Sequence, residues 1–478
     1  MSINLIEDKD NPTPDYYSTW QTQLFRADNG GPEKQRENMT ENNIFGCGAA
    51  QGWVKFYKDA RKDLIFVMDD SWDVPLEGYE KYYGSLELDK SKFPSFYVKN
   101  DPQKSLEKLV KEVKSFGWKG LGGWVCAQES AVCPARTTEE YWKERLKRCQ
   151  NAGFCYWKVD WGNRAKELAF REMLTELKRQ LAPDVVIEHA MLPDSIAFAE
   201  VFRTYDVPAI MSIPMTMRKT ADCLTKTDGG MINCEDEVYI AAALGCVMGV
   251  MRHPLSGNLP CGQPDLSFPA LHRNLKTKIS EVTRAARWHR MAPAFGVKKI
   301  ETNIGRNILT DYWDIKEQNT EIEKWWGYKD SDRMEKTAPC AISRNMTIPR
   351  VKPDNNGYIP YIVSSKNPNG IISVAALGRT VGREYLMPEC EVEIEGGKAK
   401  MFGIFGEYEK LIINTEIENP RVFIQDIAGD TAFDITEKVD YRNKKIIICG
   451  KLIHDVGTMC NAKNDTSEPG AVLAMKKD

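Results

Sequence analysis

Over the first 300 residues, apolar positions recur at helical spacing in long segments and cluster in short runs between those segments. Leu106, Leu109, Val110 and Val113 follow the spacing of one helix face, and a glycine-rich apolar run comes soon afterwards. Single short strands that alternate with helices predict parallel βαβ units. We predict eight strands, near residues 17–24, 64–69, 118–126, 154–160, 184–188, 201–205, 229–233 and 247–252.

Eight strand–helix units favour a closed (β/α)₈ TIM barrel over an open, doubly wound sheet. No Gly-x-Gly-x-x-Gly sequence follows a predicted strand, so the dinucleotide-binding form of the open sheet lacks its fingerprint. We therefore predict an α/β barrel over residues 1–300. In such barrels the active site lies at the C-terminal ends of the strands, and the residues there are the ones to inspect for chemistry.

Beyond residue 300 the helical periodicity fades, and short β-rich runs such as Ile371–Ala375 and Lys445–Ile448 appear. Asn-Gly pairs between these runs are typical of turns. The pattern predicts a C-terminal antiparallel β-sandwich over residues 301–478. Within it, residues 301–350 are rich in tryptophan, asparagine and charge, and the pattern assigns this linker region to no class.

Composition narrows the class of protein. Of 478 residues, 42% are apolar and 28% are charged, which is typical of a globular protein. The net charge of −3 argues against a nucleic-acid partner. The longest apolar run, Val238–Met251, is too short for a membrane span. The N-terminus shows no signal-peptide pattern, which favours a cytoplasmic protein unless the chain is the trimmed form of an exported one.

Charged and aromatic residues stand at the predicted strand ends. An acid in this position also caps the helix that follows, so one such residue alone indicates little. Carboxylates placed close together raise one another's pKa, so folding by itself does not favour a ring of them. They do accept hydrogen bonds from sugar hydroxyls, and indole rings pack on apolar sugar faces. The set therefore predicts a site for a polyhydroxylated substrate, and it comprises Asp69, Asp70, Trp124, Lys158, Asp160, Glu188, Arg203 and Asp206.

Four segments, Ser18–Thr22, Leu64–Trp72, Tyr156–Asp160 and Phe202–Val207, carry most of these residues. They contain Thr-Trp-Gln, Asp-Asp-Ser-Trp, Lys-Val-Asp and Arg-Thr-Tyr-Asp, respectively. In order and approximate spacing they resemble the first-, second-, fourth- and sixth-strand motifs of the retaining α-galactosidase clan of glycoside hydrolases. That melibiase-like clan also includes α-N-acetylgalactosaminidases, and its members often carry a C-terminal β-sandwich.

The resemblance implies a retaining double displacement in which Asp160 is the nucleophile and Asp206 the acid/base. Lys158 and Arg203 would bind sugar hydroxyls and keep neighbouring carboxylates ionised. The other substrate-binding positions are Asp69 and Asp70 on the 4- and 6-hydroxyls, Trp20 and Trp124 as aromatic walls, and Glu188 with Met191 at the 2-substituent. We expect no cofactor and no metal ion.

The sequence departs from the clan at Ser71, Trp161 and Val207, which leaves the sugar open. We expect an oligosaccharide or glycoconjugate substrate with a terminal α-galactosyl-type residue. An α-N-acetylgalactosaminidase, a β-L-arabinopyranosidase and a non-catalytic sugar-binding protein on the same barrel are the alternatives. The sequence also leaves open whether the sugar is hydrolysed or transferred, and whether the chain forms a homo-oligomer.

Overall fold

The computed structural model describes residues 3–25, 34–48, 51–134, 136–204, 211–227, 229–251, 279–314, 332–463 and 465–477, without the side chains of residues 21, 24 and 25. Its first part contains eight described strands: β1 (Tyr16–Ser18), β2 (Ile65–Met68), β3 (Gly120–Val125), β4 (Phe154–Val159), β5 (Val186–His189), β6 (Val201–Arg203), β7 (Met231–Asn233) and β8 (Gly249–Val250). All are parallel, in the order β7-β6-β5-β4-β3-β2-β1-β8.

The edge strands of this sheet meet, which closes it into a barrel. Asn233 in β7 forms a parallel bridge with Val247, just before β8. The Val247 amide donates to the carbonyl of Ile232 at 2.8 Å, and the amide of Cys234 donates back to Val247 at 2.9 Å. The predicted barrel is thus confirmed.

Helices follow most of the strands. The helices of this part are α1 (Trp20–Phe25), α2 (Glu41–Phe45), α3 (Pro102–Ser115), α4 (Thr138–Ala152), α5 (Leu168–Leu181), α6 (Ser212–Leu224), α7 (Val238–Leu244) and α8 (Ile279–Met291). Local signals set their ends: Thr137 and Glu140 form a capping box before α4, and Gly153 ends it at φ 76°. Between β5 and β6 the described chain forms only a 3₁₀ turn, Pro193–Ala197.

The first predicted strand, residues 17–24, is wrong beyond Ser18. The ladder with β2 ends at the pair Ser18–Val67, and the chain then turns into α1, so Trp20 lies on a helix. The helix starts because the Gln23 amide donates to the Thr19 carbonyl at 2.8 Å. Tertiary contacts have overridden the strand-like pattern here.

Alternating side chains place apolar residues on both faces of the barrel wall. Phe66 in β2 and Trp157 in β4 belong to the main core between sheet and helices. The neighbouring Val67 and Tyr156 belong to a separate cluster with Tyr16, inside the barrel. The inward positions therefore continue, two residues at a time, toward the C-terminal ends of the strands.

The second part consists of two stacked sheets and some hairpins. Its strands are β9 (Thr302–Ile304), β10 (Ile308–Asp314), β11 (Arg333–Pro339), β12 (Ala341–Arg344), β13 (Arg350–Lys352), β14 (Tyr361–Lys366), β15 (Ile372–Leu377), β16 (Arg379–Val381), β17 (Glu384–Leu386), β18 (Glu391–Gly397), β19 (Met401–Phe405), β20 (Lys410–Thr415), β21 (Arg421–Asp426), β22 (Phe433–Asp434), β23 (Asp440–Arg442), β24 (Lys445–Cys449) and β25 (Gly470–Lys476), with helix α9 (Gly450–Gly457) before β25. One sheet runs β22-β21-β25-β19-β15-β14-β12-β9 and the other β13-β18-β20-β24-β23.

The predicted sandwich is confirmed, but it is not wholly antiparallel. The pairs β12–β14, β15–β19 and β18–β20 are parallel. Val374 and Leu473 from the larger sheet share a core with Val392 and Leu411 from the smaller one. The region that the sequence pattern left unclassed supplies β9 to β12 and the start of β13.

The larger sheet of the sandwich also packs against the barrel through α7 and α8. Arg284 in α8 donates to both carboxylate oxygens of Asp426 at 2.9 Å. The Trp288 indole donates to the Ser373 hydroxyl, also at 2.9 Å. These buried contacts join the two parts. No described helix is long and apolar enough to cross a membrane.

Candidate active site

A narrow cavity opens at the C-terminal ends of the first four barrel strands. Its volume is 50 Å³, and by the rule that one water needs about 10–15 Å³ it holds about four waters. It is lined by Trp20, Asp69, Asp70, Trp124, Lys158, Asp160 and Trp161. Six of these seven are residues that the sequence predicted for the site, and Trp161 is the addition.

The strand period explains why these side chains converge. Val67 faces the barrel interior, so Asp69, two residues on, reaches the same side. On β4 the inward Tyr156 is followed by Lys158 and then by Asp160. Trp124 pairs with Lys158 in register across β3 and β4, which sets the indole beside the β4 residues.

Asp160 is held by two neighbours on one carboxylate oxygen. Its Oδ2 accepts from the Arg203 guanidinium at 2.8 Å and from the Trp124 indole at 3.3 Å. Its Oδ1 is buried and has no hydrogen-bond partner among the described residues. Burial alone would raise the pKa of Asp160, but the charges of Arg203 and Lys158 outweigh burial and hold that pKa below its ordinary value. Asp160 is therefore an ionised carboxylate with one oxygen to spare.

Asp69 and Lys158, which also line the cavity, form a buried ion pair. Asp69 also accepts from the Ser18 hydroxyl, and its other oxygen accepts from the Asp70 amide at 2.9 Å. The Asp69 amide in turn donates to Thr19 at 2.9 Å. Asp69 is thus the anchor that fixes the Lys158 ammonium and the start of the β2 loop.

Asp70 is less fully satisfied. Its Oδ1 accepts from the Ser71 hydroxyl at 2.7 Å, and Arg36 lies 3.9 Å from Oδ2. That Oδ2 is buried without a hydrogen-bond partner among the described residues. Burial raises the pKa of Asp70 to about 6, against the opposing effects of Ser71 and Arg36. Asp70 therefore changes its charge near neutral pH.

The departure at Ser71 has a backbone consequence. Ser71 lies at φ 76°, in the left-handed region where glycine is favoured. The resembling motif has glycine at this position, a residue better suited to this conformation than serine. Serine at this position supplies a hydroxyl that donates a hydrogen bond to Asp70.

Glu188 lies deeper in the barrel, outside the set that lines the cavity. Its side chain is fully buried. It accepts from the hydroxyls of Tyr16 at 3.1 Å and Tyr156 at 2.9 Å, and from the amide of Asn233 at 2.5 Å. The Arg203 Nε atom lies 3.8 Å from it. Burial raises the pKa of Glu188, although Arg203 opposes that rise.

Met191 and Arg203 do not line this cavity. Met191 is 37% exposed, at φ 67°, and lines a second cavity of 390 Å³ with Phe202 and Thr204. Arg203 borders that second cavity and also donates to Asp160 at 2.8 Å. Asp206 lies outside the described residues.

Sequence reasoning missed three contributors to the rim. Trp161 packs at 5.0 Å on the rings of Trp124 and Tyr83, and Arg36 lies over the Tyr83 ring at 6.0 Å. Trp161 had a signal, because it directly follows Asp160. Arg36 and Tyr83 lie in loops outside any regular pattern and had none.

The cavity offers three carboxylates, the Lys158 ammonium and indole rings, which suits a polyhydroxylated ligand. Among the described residues, no group of three or more His, Cys, Asp or Glu side chains is arranged to hold a metal ion. The side chains that line the cavity can supply nucleophilic attack by a carboxylate, hydrogen bonding to hydroxyls and electrostatic stabilisation.

Comparison with known proteins gives distant structural similarity only. No protein-family model and no curated protein matches the chain. It is similar to an alpha-galactosidase from Saccharomyces cerevisiae, with 10% identity and a TM-score of 0.39 over 100% of this chain and 97% of that one. It is also similar to a β-L-arabinopyranosidase from Geobacillus stearothermophilus, with 10% identity and a TM-score of 0.36 over 68% and 93% of the two chains. An alpha-amylase from Geobacillus thermoleovorans matches with 9% identity and a TM-score of 0.39 over 79% and 96%.

These three proteins act on different glycosides. At such identities and TM-scores the similarity carries no argument about function.

Proposed function

We propose that this protein is a glycoside hydrolase that removes terminal α-galactosyl-type residues by a double displacement, with Asp160 as the nucleophile. The observation that carries the proposal is the Asp160 carboxylate itself. It is 6% exposed, its pKa is held low by Arg203 and Lys158, and one of its oxygens has no hydrogen-bond partner among the described residues. Folding rarely leaves a buried acceptor without a partner, so a substrate atom is the natural partner.

In the first step of the proposed reaction, an Asp160 oxygen bonds to the anomeric carbon while the bond from that carbon to the leaving oxygen breaks. The leaving oxygen takes a proton from the acid, for which the resemblance implies Asp206. In the second step, water loses a proton to the same residue and attacks the anomeric carbon, which releases Asp160. Two inversions give overall retention.

The cations make Asp160 suitable for this role. Arg203 contacts it directly at 2.8 Å, and Lys158 faces the same cavity from the same strand. Both charges favour the ionised carboxylate that the first step needs. Because neither cation contacts Oδ1 in the structure, that oxygen is the one we assign to the attack.

The same logic assigns sugar recognition mainly to Asp70. The oxygens of Asp69 already accept from Ser18, Lys158 and the Asp70 amide, whereas Asp70 keeps Oδ2 for a sugar hydroxyl. Trp20 and Trp124 supply apolar surface beside these oxygens.

A panel of nitrophenyl α- and β-glycosides tests this function, with the anomer of the first product read by NMR. We expect α-galactoside hydrolysis with retained configuration in the wild type and in Asp59→Asn, an exposed-acid control, and none in Asp160→Asn. An inverted product would contradict the double displacement. Sugar binding without turnover of any glycoside would favour the non-catalytic alternative.

A further inference from the structure

The Glu188 carboxylate is surrounded by donors from four strands. Tyr16 in β1, Tyr156 in β4 and Asn233 in β7 donate to it, at 3.1, 2.9 and 2.5 Å. The Arg203 guanidinium of β6 lies 3.8 Å away, and both the Glu188 and Arg203 side chains are fully buried. A carboxylate in this position has little capacity left for a sugar hydroxyl.

Arg203 lies between two carboxylates. Its Nε faces Glu188 at 3.8 Å and one of its terminal nitrogens donates to Asp160 at 2.8 Å. Nε and Nη2 lie on the same edge of the planar guanidinium, so both carboxylates face one edge of Arg203. Asp160 accepts a hydrogen bond from that edge, whereas Glu188 lies beyond hydrogen-bond distance and acts on the guanidinium through its charge.

We propose that Glu188 is a positioning residue for Arg203. It holds the guanidinium in the orientation that contacts Asp160, and the two tyrosines and Asn233 hold Glu188 in turn. This inference rests on the proposed function for its kinetic consequence, but the positioning itself concerns only these side chains. It assigns Glu188 a role different from the contact with the sugar 2-substituent that the sequence resemblance implies.

The two roles predict different kinetics. A residue that positions the cation beside the nucleophile affects the chemical step, so its loss lowers kcat and leaves KM nearly unchanged. A residue that contacts the 2-substituent changes KM and the preference between galactosides and N-acetylgalactosaminides. A merely structural buried ion pair changes thermal stability and neither kinetic quantity.

The test compares Glu188→Gln, Tyr156→Phe and a matched control. Asp63→Asn is the control, because Asp63 is equally buried and paired with Arg290 at 2.6 Å, but precedes β2 at the opposite end of the barrel. We expect Glu188→Gln to lower kcat about 10- to 100-fold, with KM within about twofold of the wild type. Tyr156→Phe, which keeps the Glu188 charge, should lower kcat less. Asp63→Asn should lose stability and keep kcat.

Crystal structures of the wild type and Glu188→Gln supply a readout that needs no activity. The contact between Arg203 and Asp160 should lengthen or break in the variant. An unchanged contact together with an unchanged kcat would overturn the proposal, as would a changed galactoside preference at constant kcat. If Glu188→Gln does not fold, an unchanged kcat in Tyr156→Phe overturns the proposal. A displaced Arg203 in a protein that hydrolyses no glycoside would refute the proposed function while supporting the positioning role.

Discussion

Asp160 and Glu188 are both buried carboxylates beside the same guanidinium, yet they differ in the direction of their pKa. Arg203 and Lys158 hold the pKa of Asp160 below its ordinary value, whereas burial keeps that of Glu188 above its own. They differ also in how many of their hydrogen-bond acceptor sites are occupied. Glu188 accepts from three donors, whereas Asp160 keeps one oxygen without a described partner. The difference teaches that residue type and burial do not identify a nucleophile. Under the proposed function, ionisation and spare acceptor capacity in the cavity are what set the candidate nucleophile Asp160 apart from Glu188.

The largest expected effect is the loss of the nucleophile. Asp160→Ala should lower kcat by about 10⁴-fold or more for every leaving group, because the covalent step is lost. Azide should restore some turnover with inverted configuration, by entering the space of the carboxylate. Steady-state rates and NMR of the product measure both effects. A loss no larger than that of Glu188→Gln would break the distinction between the two carboxylates.

Asp206→Ala tests whether Asp206 is the acid/base of the proposed reaction. The expected loss is about 10²–10⁴-fold for poor leaving groups, the usual range for proton transfer. Activated aryl glycosides need little protonation, so their first step should suffer less. Pre-steady-state kinetics with both kinds of substrate separate the steps. Equal losses for both would argue that Asp206 is not the acid.

Lys158→Met tests whether the Lys158 ammonium helps to hold the pKa of Asp160 below its ordinary value. Without the ammonium, the pKa of Asp160 should rise, so the acid limb of kcat/KM should move to higher pH. The sign follows because Asp160 acts as the ionised form and a cation favours that form. Lys92→Met removes a buried ammonium that bonds to the Arg36 and Ser71 carbonyls instead, and should leave the limb in place. A limb that shifts equally in both variants would contradict the account.

Asp70→Asn should change binding more than chemistry. Since burial raises the pKa of Asp70 to about 6, its carboxylate becomes protonated as the pH falls through that value. We expect the KM of the wild type to rise below about pH 6, and this rise to vanish in Asp70→Asn, whose KM should be several-fold higher at pH 8. Michaelis profiles across pH measure the effect. A pH-dependent KM that persists in the variant would assign the titration to another group.

The smallest effect concerns Asp73, a buried carboxylate whose pKa the Lys92 charge lowers less than burial raises it. Burial raises the pKa of Asp73 to about 7, so the folded state binds a proton that the unfolded state releases near pH 4. The free energy of unfolding should therefore fall as the pH rises from about 4 to about 7. Asp73→Asn should raise the free energy of unfolding by about 1–3 kcal/mol at pH 8 and change it little at pH 4. Denaturant unfolding at the two pH values checks this, and a gain equal at both would refute it.

Strand periodicity predicted the barrel well because buried parallel strands have strong local signals. Each of the eight strands overlaps its predicted range, although β1 ends at Ser18 and β8 is only two residues long. The pattern failed at Trp20, where the helix depends on contacts with the β2 loop that are distant in sequence. It also could not predict parallel pairs in the sandwich, because strand order depends on packing that single-strand patterns do not record.

Inward parity and strand ends were enough to predict that Asp69, Lys158 and Asp160 lie together. They were not enough to show that Glu188 lies deeper in the barrel than Asp160, so by these two criteria the two carboxylates looked equivalent. The difference depends on Tyr16, Tyr156 and Asn233, which come from three other strands and form no sequence motif with Glu188. The roles of all the predicted site residues, including Asp206 and Met191, stay predictions.

Trapping the covalent intermediate tests the central claim most directly. A fluorinated α-galactosyl fluoride slows release of the glycosyl group while its leaving group departs without protonation, so the intermediate should accumulate. Peptide mass spectrometry after inactivation should then find one glycosyl group, attached to Asp160. Attachment to Asp70, Glu188 or any other residue, or rapid turnover of other glycosides with no trapped peptide and an inverted product, would contradict the account.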